Sequence, residues 1–104
     1  MQLEFKEINK KSLDYEKVKK LYYNAFPINE RYPLFYLIWK SKSQNIKIYS
    51  IYDGDLWIGF IYIFFNKDLL FLQYIAIDIN IRSKGYGGKV INKIKENYPK
   101  YRIV

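Results

Sequence analysis

Hydrophobic and polar residues alternate along this chain with two distinct periods. Near the amino terminus, Leu3 and Phe5 stand between polar neighbours, and this period of two predicts a short strand over residues 2–8. Apolar residues then repeat at positions 15, 18, 22 and 25, which is the spacing of one face of a helix. Ser12 or Asp14 can cap that helix, and Pro27 ends it because proline has no backbone N–H to donate.

A second, shorter helix is predicted over residues 34–41. Pro33 precedes it, and proline suits the first turn of a helix, where an N–H group would lack an acceptor anyway. The connector between the two helices is FPINERYP, residues 26–33. We expect the two tryptophans, Trp39 and Trp57, to anchor the core.

Three strands follow, over residues 46–52, 56–65 and 69–77, and short turns join them. Gly54 lies in the first turn, Asp-Gly-Asp, where glycine supplies the positive φ that a tight hairpin needs. Gly59, within the second strand, indicates a bulge or the close approach of another backbone. The third strand is almost entirely apolar, which predicts a central position in the sheet with both faces covered.

The last part of the chain predicts a strand–loop–helix–strand unit. A helical pattern runs from about Tyr86 to Asn97, Pro99 ends it, and residues 100–104 begin another β-like run. The element order is therefore β-α-α-β-β-β-α-β. We expect one mixed α+β domain over residues 1–104, with a mostly antiparallel sheet that is flanked by helices and gains one parallel strand through a helical crossover.

The composition excludes several kinds of chemistry. The chain has no cysteine and no histidine, so it can form neither a disulfide, nor a Ser-His-Asp triad, nor a zinc site with Cys or His ligands. A general base must be Glu, Asp, Tyr, Lys or an activated water. No apolar run approaches the ~18 residues of a membrane span. The first residues are charged and unlike a signal peptide, so we expect a cytoplasmic protein without a membrane partner.

The net charge is +8, from 18 basic and 10 acidic residues. This balance favours anionic partners, such as phosphates, nucleic acid or an acidic surface. A general compositional bias remains the alternative, because most of the basic residues are lysines scattered along the chain. A nucleic-acid-binding module is disfavoured, since it would need arginine-rich patches with exposed aromatic residues, and the chain has three arginines.

The stretch NIRSKGYGGKVINKIK, residues 80–95, places glycines at positions 85, 87 and 88 between a predicted strand and a helix. Glycine lets a backbone approach a ligand closely. The first N–H groups of a helix have no acceptor inside it, and the helix dipole makes that end positive, so a diphosphate is a natural ligand. Arg82, Lys84 and Lys89 would add positive charge. The alternative is a flexible glycine turn that only caps the helix.

Two familiar phosphate-binding motifs do not match this stretch. A P-loop requires Gly-x-x-x-x-Gly-Lys-Ser/Thr, and Ile91 and Asn92 do not supply that ending. A dinucleotide fingerprint requires Gly-x-Gly-x-x-Gly with an acidic residue about 20 positions later, whereas this chain has Gly-x-Gly-Gly.

The segment YIAIDINIRSKGYGGKVINKIK, residues 74–95, resembles the acetyl-CoA site of the GNAT superfamily of N-acyltransferases. The signature of that site is Arg/Gln-x-x-Gly-x-Gly/Ala, and Arg82, Gly85 and Gly87 match it. A strand, two helices and three strands precede the loop, as in the superfamily, so the resemblance covers essentially the whole chain. FPINER is also similar to the connector after the first helix in a bacterial branch of the superfamily.

The resemblance implies a role for each part of this segment. The backbone amides of Ser83 to Gly88 would bind the pyrophosphate of coenzyme A. The pantetheine arm would pair with the edge of the preceding strand, at Ile75, Ala76 and Ile77. An amine of a small molecule or a protein would then attack the thioester of acetyl-CoA directly. No metal and no covalent enzyme intermediate is needed, which agrees with the lack of Cys and His.

The acid and the base remain open. Glu30 could deprotonate the incoming amine or, together with Arg31, bind the substrate; the alternative is a surface ion pair of these two residues. Tyr74 could relay a proton or simply belong to the core. Asp78 closes the same strand, and we expect its side chain to cap the turn.

Members of the superfamily are longer than this chain. They usually carry a further helix and two more strands after the strand that begins here near Tyr101. We therefore expect a truncated domain, an engineered piece, or a homodimer that completes the sheet in trans, because bare sheet edges recruit partners. Two functions follow: an acetyl-CoA-dependent N-acetyltransferase acting on an unidentified amine, and a catalytically weak or inactive coenzyme-binding fragment.

Overall fold

A five-stranded sheet with helices on both faces forms the protein. The computed structural model describes residues 3–27, 32–43 and 45–104. The strands are β1 (Leu3–Glu7), β2 (Ile46–Asp53), β3 (Leu56–Asn66), β4 (Leu69–Ile77) and β5 (Arg102–Ile103). The helices are α1 (Tyr15–Ala25), α2 (Leu34–Lys40) and α3 (Tyr86–Asn97), and a 3₁₀ helix (Ile79–Lys84) links β4 to α3. The predicted element order is confirmed, and within the described ranges the 3₁₀ helix is an element that the sequence did not predict.

The strands lie in the sheet in the order in which they occur along the chain. β1 to β4 are antiparallel neighbours, while β5 runs parallel to β4 after the crossover through α3. β4 thus lies between two strands, as its apolar sequence predicted. β5, however, pairs only with Leu69 and Leu70, so most of one edge of β4 has no neighbouring strand in the described part of the chain.

Two apolar clusters cover the two faces of the sheet. On one face, α1 and α2 pack through residues such as Tyr22 and Leu37 against Phe60 and its neighbours on β3. On the other face, Val90 and Ile94 of α3 pack against the opposite side of the same strands. β3 is buried on both faces because its side chains alternate between these two clusters.

Gly59 brings the backbones of β3 and β4 unusually close together. A Cβ atom at this position would overlap the carbonyl oxygen of Ala76 and lie 3.0 Å from the Cα of Ile77. The register of β2 with β3 also shifts here, and Ile58 is left as an extra residue on β3. Both features that the sequence indicated for Gly59, a bulge and a close approach, are therefore present.

Of the two predicted caps of α1, one occupies the N-cap position, but neither side chain makes the expected capping hydrogen bond. Asp14 occupies the N-cap position, but its side chain makes no capping hydrogen bond. Its carboxylate accepts instead from the hydroxyl of Tyr52, at 2.9 Å across the domain. Ser12 Oγ accepts from the backbone N–H of Asn9 at 2.9 Å. The buried carboxylate of Asp14 needs a hydrogen-bond partner, and this tertiary contact takes the place of the local cap.

The prediction for the two tryptophans is half correct. Trp57 is buried, 8% exposed, and its indole N–H donates to Ser50 Oγ at 2.7 Å. Trp39, in contrast, is 64% exposed. Only seven residues form α2, and Leu34, Leu37 and Ile38 already fill its inward face. Trp39 therefore lies on the outward face. The sequence of this helix is almost entirely apolar and so does not show which of its residues point outward.

Several buried or half-buried tyrosines have raised pKa values. Burial, together with the hydrogen bond to Asp14, raises the pKa of Tyr52 to about 12. Burial and the neighbouring tyrosines Tyr36 and Tyr74 raise the pKa of Tyr62 to about 12. These hydroxyls stay protonated in the folded chain at a pH where free tyrosine ionises.

We expect Gly59→Ala to lower the free energy of unfolding by about 3 kcal/mol, because the added methyl group must push β3 away from β4. Urea unfolding followed by circular dichroism measures this change. Gly54→Ala is the matched control: it meets no atom within 4 Å but carries a φ of 63°, and should lower the free energy by only about 1 kcal/mol. Equal losses for the two variants would contradict the close approach.

We also expect a fold that weakens in alkali. The pKa values of Tyr52 and Tyr62 are higher in the folded chain than in the unfolded one, where tyrosine titrates near 10. Their contribution to stability is complete below about pH 10 and is lost as the pH rises through about 12. Tyrosinate absorbance should show part of the 12 tyrosines titrating only above about pH 11, together with unfolding. Uniform titration near pH 10 would disprove this.

Candidate functional site

The turn after β4 is fixed by Asp78. Its carboxylate accepts from the backbone N–H of Asn80 at 3.2 Å and from the amide side chain of the same residue at 3.4 Å. Its own backbone N–H donates to the carbonyl of Ile58 on β3 at 2.7 Å. The predicted turn-capping role of Asp78 is confirmed, and the 3₁₀ helix begins directly behind this turn.

Gly85 joins the 3₁₀ helix to α3. It has a φ of 76°, the left-handed conformation that glycine adopts without strain, and it occupies the N-cap position of α3. No side chain caps this helix end. The backbone N–H groups of Tyr86, Gly87 and Gly88 consequently find no acceptor among the residues that the structure describes. The loop thus presents three outward N–H groups at the positive end of a helix dipole.

Gly87 and Gly88 have no conformational or packing reason to be glycine. Neither has a positive φ, and a Cβ atom at either position would meet nothing within 4 Å. Glycine in a helix is less favourable than alanine by roughly 0.5–1 kcal/mol. Of the three glycines in this loop, the fold therefore explains only Gly85.

Two side-chain contacts hold this loop against the sheet. Arg82 Nε donates to the carbonyl oxygen of Ile77 at 3.0 Å, at the end of β4. The hydroxyl of Tyr86 donates to Asp53 Oδ2 at 2.7 Å, which raises the pKa of this tyrosine. The sequence did not reveal the second contact, because its partners are 33 residues apart and meet only in the folded sheet.

Positive charge surrounds the loop. Arg82, Ser83 and Lys84 are all exposed beside the start of α3. The ammonium group of Lys89 lies 5.2 Å from the ring centroid of Tyr86, a cation–π contact. The structure therefore brings together all the loop residues that the sequence singled out, residues 82–89, at one end of β4.

The edge of β4 that faces away from β3 is open next to this loop. Since the N–H of Asp78 points to β3, alternation along the strand directs the backbone groups of Ile75 and Ile77 to the open edge. The Arg82 contact at the carbonyl of Ile77 agrees with this direction. By the same alternation, the backbone groups of Ala76 face Phe60 on β3, with which it pairs.

β4 carries a bulge four residues before Ile77. Tyr74 pairs with Tyr62, whereas Leu72 pairs with Ile63, so Gln73 is an extra residue on β4 and is exposed. A cavity of about 260 Å³ lies beside this bulge, on the face that α1 and α2 cover. Its lining residues are Tyr32, Tyr36, Leu37, Lys40, Ile46, Tyr62, Phe64 and Gln73. Neither the bulge nor the cavity was predicted from the sequence.

Tyr74 lies directly beneath the bulge in a cluster of aromatic rings. It is 7% exposed, and its ring centroid lies 4.8 Å from that of Phe26 and 5.3 Å from that of Tyr22. The geometry is compatible with both roles considered for it, in the core and in proton transfer. Glu30 and Arg31, the other predicted site residues, lie outside the described residues.

Two other cavities lie farther from the bulge. A groove of about 670 Å³ separates the outward face of α2 from the loop after β1, and it touches neither β4 nor the glycine loop. A cavity of about 550 Å³ lies between α1, the β2–β3 turn and residues 78–80. The cavity beside Gln73 is the one among these three that adjoins the bulge of β4.

A solved structure has a fold similar to that of this chain. It is a protein of Bacteroides thetaiotaomicron described as a "Putative acetyltransferase from GNAT family", and it superimposes on 96% of this chain with a TM-score of 0.84 and 25% sequence identity. This chain has the GNAT fold. The resemblance predicted from Arg82, Gly85 and Gly87 is confirmed, and so is the predicted fold class.

The GNAT-fold chain spans 57% of the length of that neighbour. No protein-family model and no curated protein matches it. Within the described residues, no helix is both long and apolar enough to cross a membrane.

We expect Gly87→Ala and Gly88→Ala to raise the free energy of unfolding by up to ~1 kcal/mol, because alanine favours the helix and the added methyl group is unobstructed. Gly85→Ala is the control in the same loop. Its positive φ of 76° should make that variant less stable by about 1 kcal/mol or more. Thermal or urea unfolding shows whether each variant gains or loses stability. A loss of stability in all three variants would show that the fold itself requires the glycines.

Proposed function

We propose that this chain binds acetyl-CoA at its glycine loop and supports transfer of the acetyl group to an amine. The observation that carries the proposal is the set of unpaired N–H groups at Tyr86, Gly87 and Gly88, in front of glycines that the fold does not need. The GNAT fold and the acetyltransferase description of the structural neighbour support it.

The pyrophosphate of coenzyme A suits the start of α3. Its negative charge would be stabilised by the three N–H groups and by the helix dipole. Arg82, Lys84 and Lys89 would add charge from the side, while the exposed Ser83 offers a further backbone amide. The contacts Arg82–Ile77 and Tyr86–Asp53 hold the loop in place before any ligand arrives, so little ordering is needed on binding.

The pantetheine arm would continue along the open edge of β4. Amide groups of the arm can pair with the backbone of Ile75 and with the N–H of Ile77, whose carbonyl already accepts from Arg82. Ala76, between them, would keep its backbone groups directed to Phe60 on β3. From Ile77 to Gln73 is four residues, or ~13 Å at ~3.3 Å per residue. The arm would thus bring its thioester to the bulge, where the strand edge is interrupted.

The acceptor amine would approach from the cavity beside Gln73. Its nitrogen attacks the thioester carbonyl carbon, the carbon–sulfur bond breaks, and the thiolate leaves with the electron pair. The amine loses a proton, and the departing sulfur gains one. We assign these two proton transfers, as hypotheses, to Glu30 and Tyr74, of which Tyr74 lies beside the bulge. Arg31 would help to bind the acceptor.

A second candidate function is coenzyme binding without efficient turnover. The glycine loop, with its unpaired N–H groups at the start of α3, is sufficient for this function. A homodimer that covers the open edge of β4 would be one way to complete the site. Both candidates place the protein in the cytoplasm, where acetyl-CoA is available, and neither involves a nucleic acid or a membrane.

We expect acetyl-CoA to bind the chain in isothermal titration calorimetry, and Gly87→Glu to weaken that binding at least ~100-fold through charge repulsion and loss of space. The Glu variant should still fold. Asn92→Glu, which adds the same charge on an exposed position of α3, is the matched control and should retain wild-type affinity. Absence of binding to the wild type, or unchanged affinity of Gly87→Glu, would refute the loop assignment.

Turnover separates the two candidate functions. Release of free thiol from acetyl-CoA in the presence of mixed amines would identify an acetyltransferase. Binding without thiol release would identify the coenzyme-binding fragment.

A further inference from the structure

The cavity beside Gln73 has an unusual lining for a site that would receive an amine. Four aromatic side chains border it: Tyr32, Tyr36, Tyr62 and Phe64. Phe64 stacks on Phe71 with a centroid distance of 4.6 Å and an interplanar angle of 12°, which gives the cavity a fixed flat wall. A wall of this kind favours a planar or apolar group on the ligand.

Lys40 is the one charged side chain in the lining that the structure describes. Its ammonium group lies 5.4 Å from the ring centroid of Tyr36 and forms no ion pair with a described residue. No Asp or Glu belongs to the described lining. Tyr62 adds no negative charge at neutral pH, because burial and its tyrosine neighbours raise its pKa to about 12.

This charge pattern discriminates among amines. A polyamine would bring a second ammonium group towards Lys40, and among the described lining residues no carboxylate would receive it. An amine that carries a carboxylate would pair that group with Lys40, and its apolar part would contact the aromatic wall. The volume of about 260 Å³ suits a small molecule rather than a peptide segment.

We propose that the acceptor is a small aromatic amino acid, held by its carboxylate at Lys40 and by its ring at the aromatic wall, with its amine directed to the bulge at Gln73. This inference rests on the proposed function, because an acceptor has a role only in acetyl transfer. The cavity and Lys40, however, can be tested for ligand binding without any turnover. The ordinary alternative is that Lys40 only complements the carboxyl-terminal end of the α2 dipole.

Pairs of ligands that differ only in the carboxylate provide the test. Phenylalanine is compared with phenethylamine, and tyrosine with tyramine, by ligand-observed NMR titration in the presence and absence of acetyl-CoA. We expect each amino acid to bind about tenfold more tightly than its decarboxylated partner. Spermidine should bind more weakly than either amino acid.

The variant Lys40→Gln should reduce the tenfold preference to about twofold or less, since the ion pair is gone while the aromatic wall remains. Lys42→Gln is the matched control: it removes the same charge two residues away, from a side chain that borders the other groove, and should leave the preference intact. Equal binding of amino acids and decarboxylated amines, or a preference that persists in Lys40→Gln, would overturn this proposal.

The two proposals fail in different ways. Calorimetry with acetyl-CoA on the same samples tests the coenzyme loop and does not involve Lys40. If acetyl-CoA binds and the amino acids show no preference, the acceptor proposal falls and the coenzyme proposal stands. If the amino acids bind in a manner that depends on Lys40 and acetyl-CoA does not, the cavity assignment stands and acetyl transfer falls.

Discussion

The whole arrangement depends on β4 being hydrogen-bonded along one edge and largely open along the other. Gly59 allows β3 to approach β4 so closely that a side chain at that position would overlap the carbonyl of Ala76. The pairing of β3 with β4 holds β4 along this edge. β5 reaches only Leu69 and Leu70 on the other side, so no described strand pairs there with Ile75 or Ile77, although the Ile77 carbonyl accepts from Arg82. A strand that is rigid yet half unpaired is a ready partner for an extended chain of amides.

The glycine loop lies at the carboxyl-terminal end of β4. β4 terminates at Asp78, the 3₁₀ helix turns the chain, and α3 starts with uncapped N–H groups beside the open edge. An extended ligand with a phosphate group at one end therefore meets a positive helix terminus first and a strand edge next. The bulge at Gln73 interrupts that edge about where such a ligand would end, and the aromatic cavity opens there. The glycine loop, the open edge and the bulge thus follow one another along β4.

Local sequence patterns predicted much of this fold, and they failed where long-range contacts decide. Helix α3 was predicted with its observed bounds because its periodicity and Pro99 are local features. The local pattern makes Asp14 a cap of α1, but its carboxylate accepts a hydrogen bond from the hydroxyl of Tyr52, 38 residues away. Trp39 was placed in the core because composition alone does not show which face of a short helix is already filled. For the site, the signature of Arg82, Gly85 and Gly87 located the loop, but no local pattern reveals the bulge at Gln73.

The two halves of the proposed site differ in how much of the chain each requires. The coenzyme loop is built almost entirely from residues 77–89, with one further attachment from Tyr86 to Asp53. The cavity, in contrast, draws on α2, β2, β3 and β4 together. Loss or displacement of one distant element would therefore disturb the cavity far more than the loop. The proposed coenzyme binding is consequently the more robust of the two, and the proposed selection of amines depends on the packing of α2 and its Lys40 against the sheet.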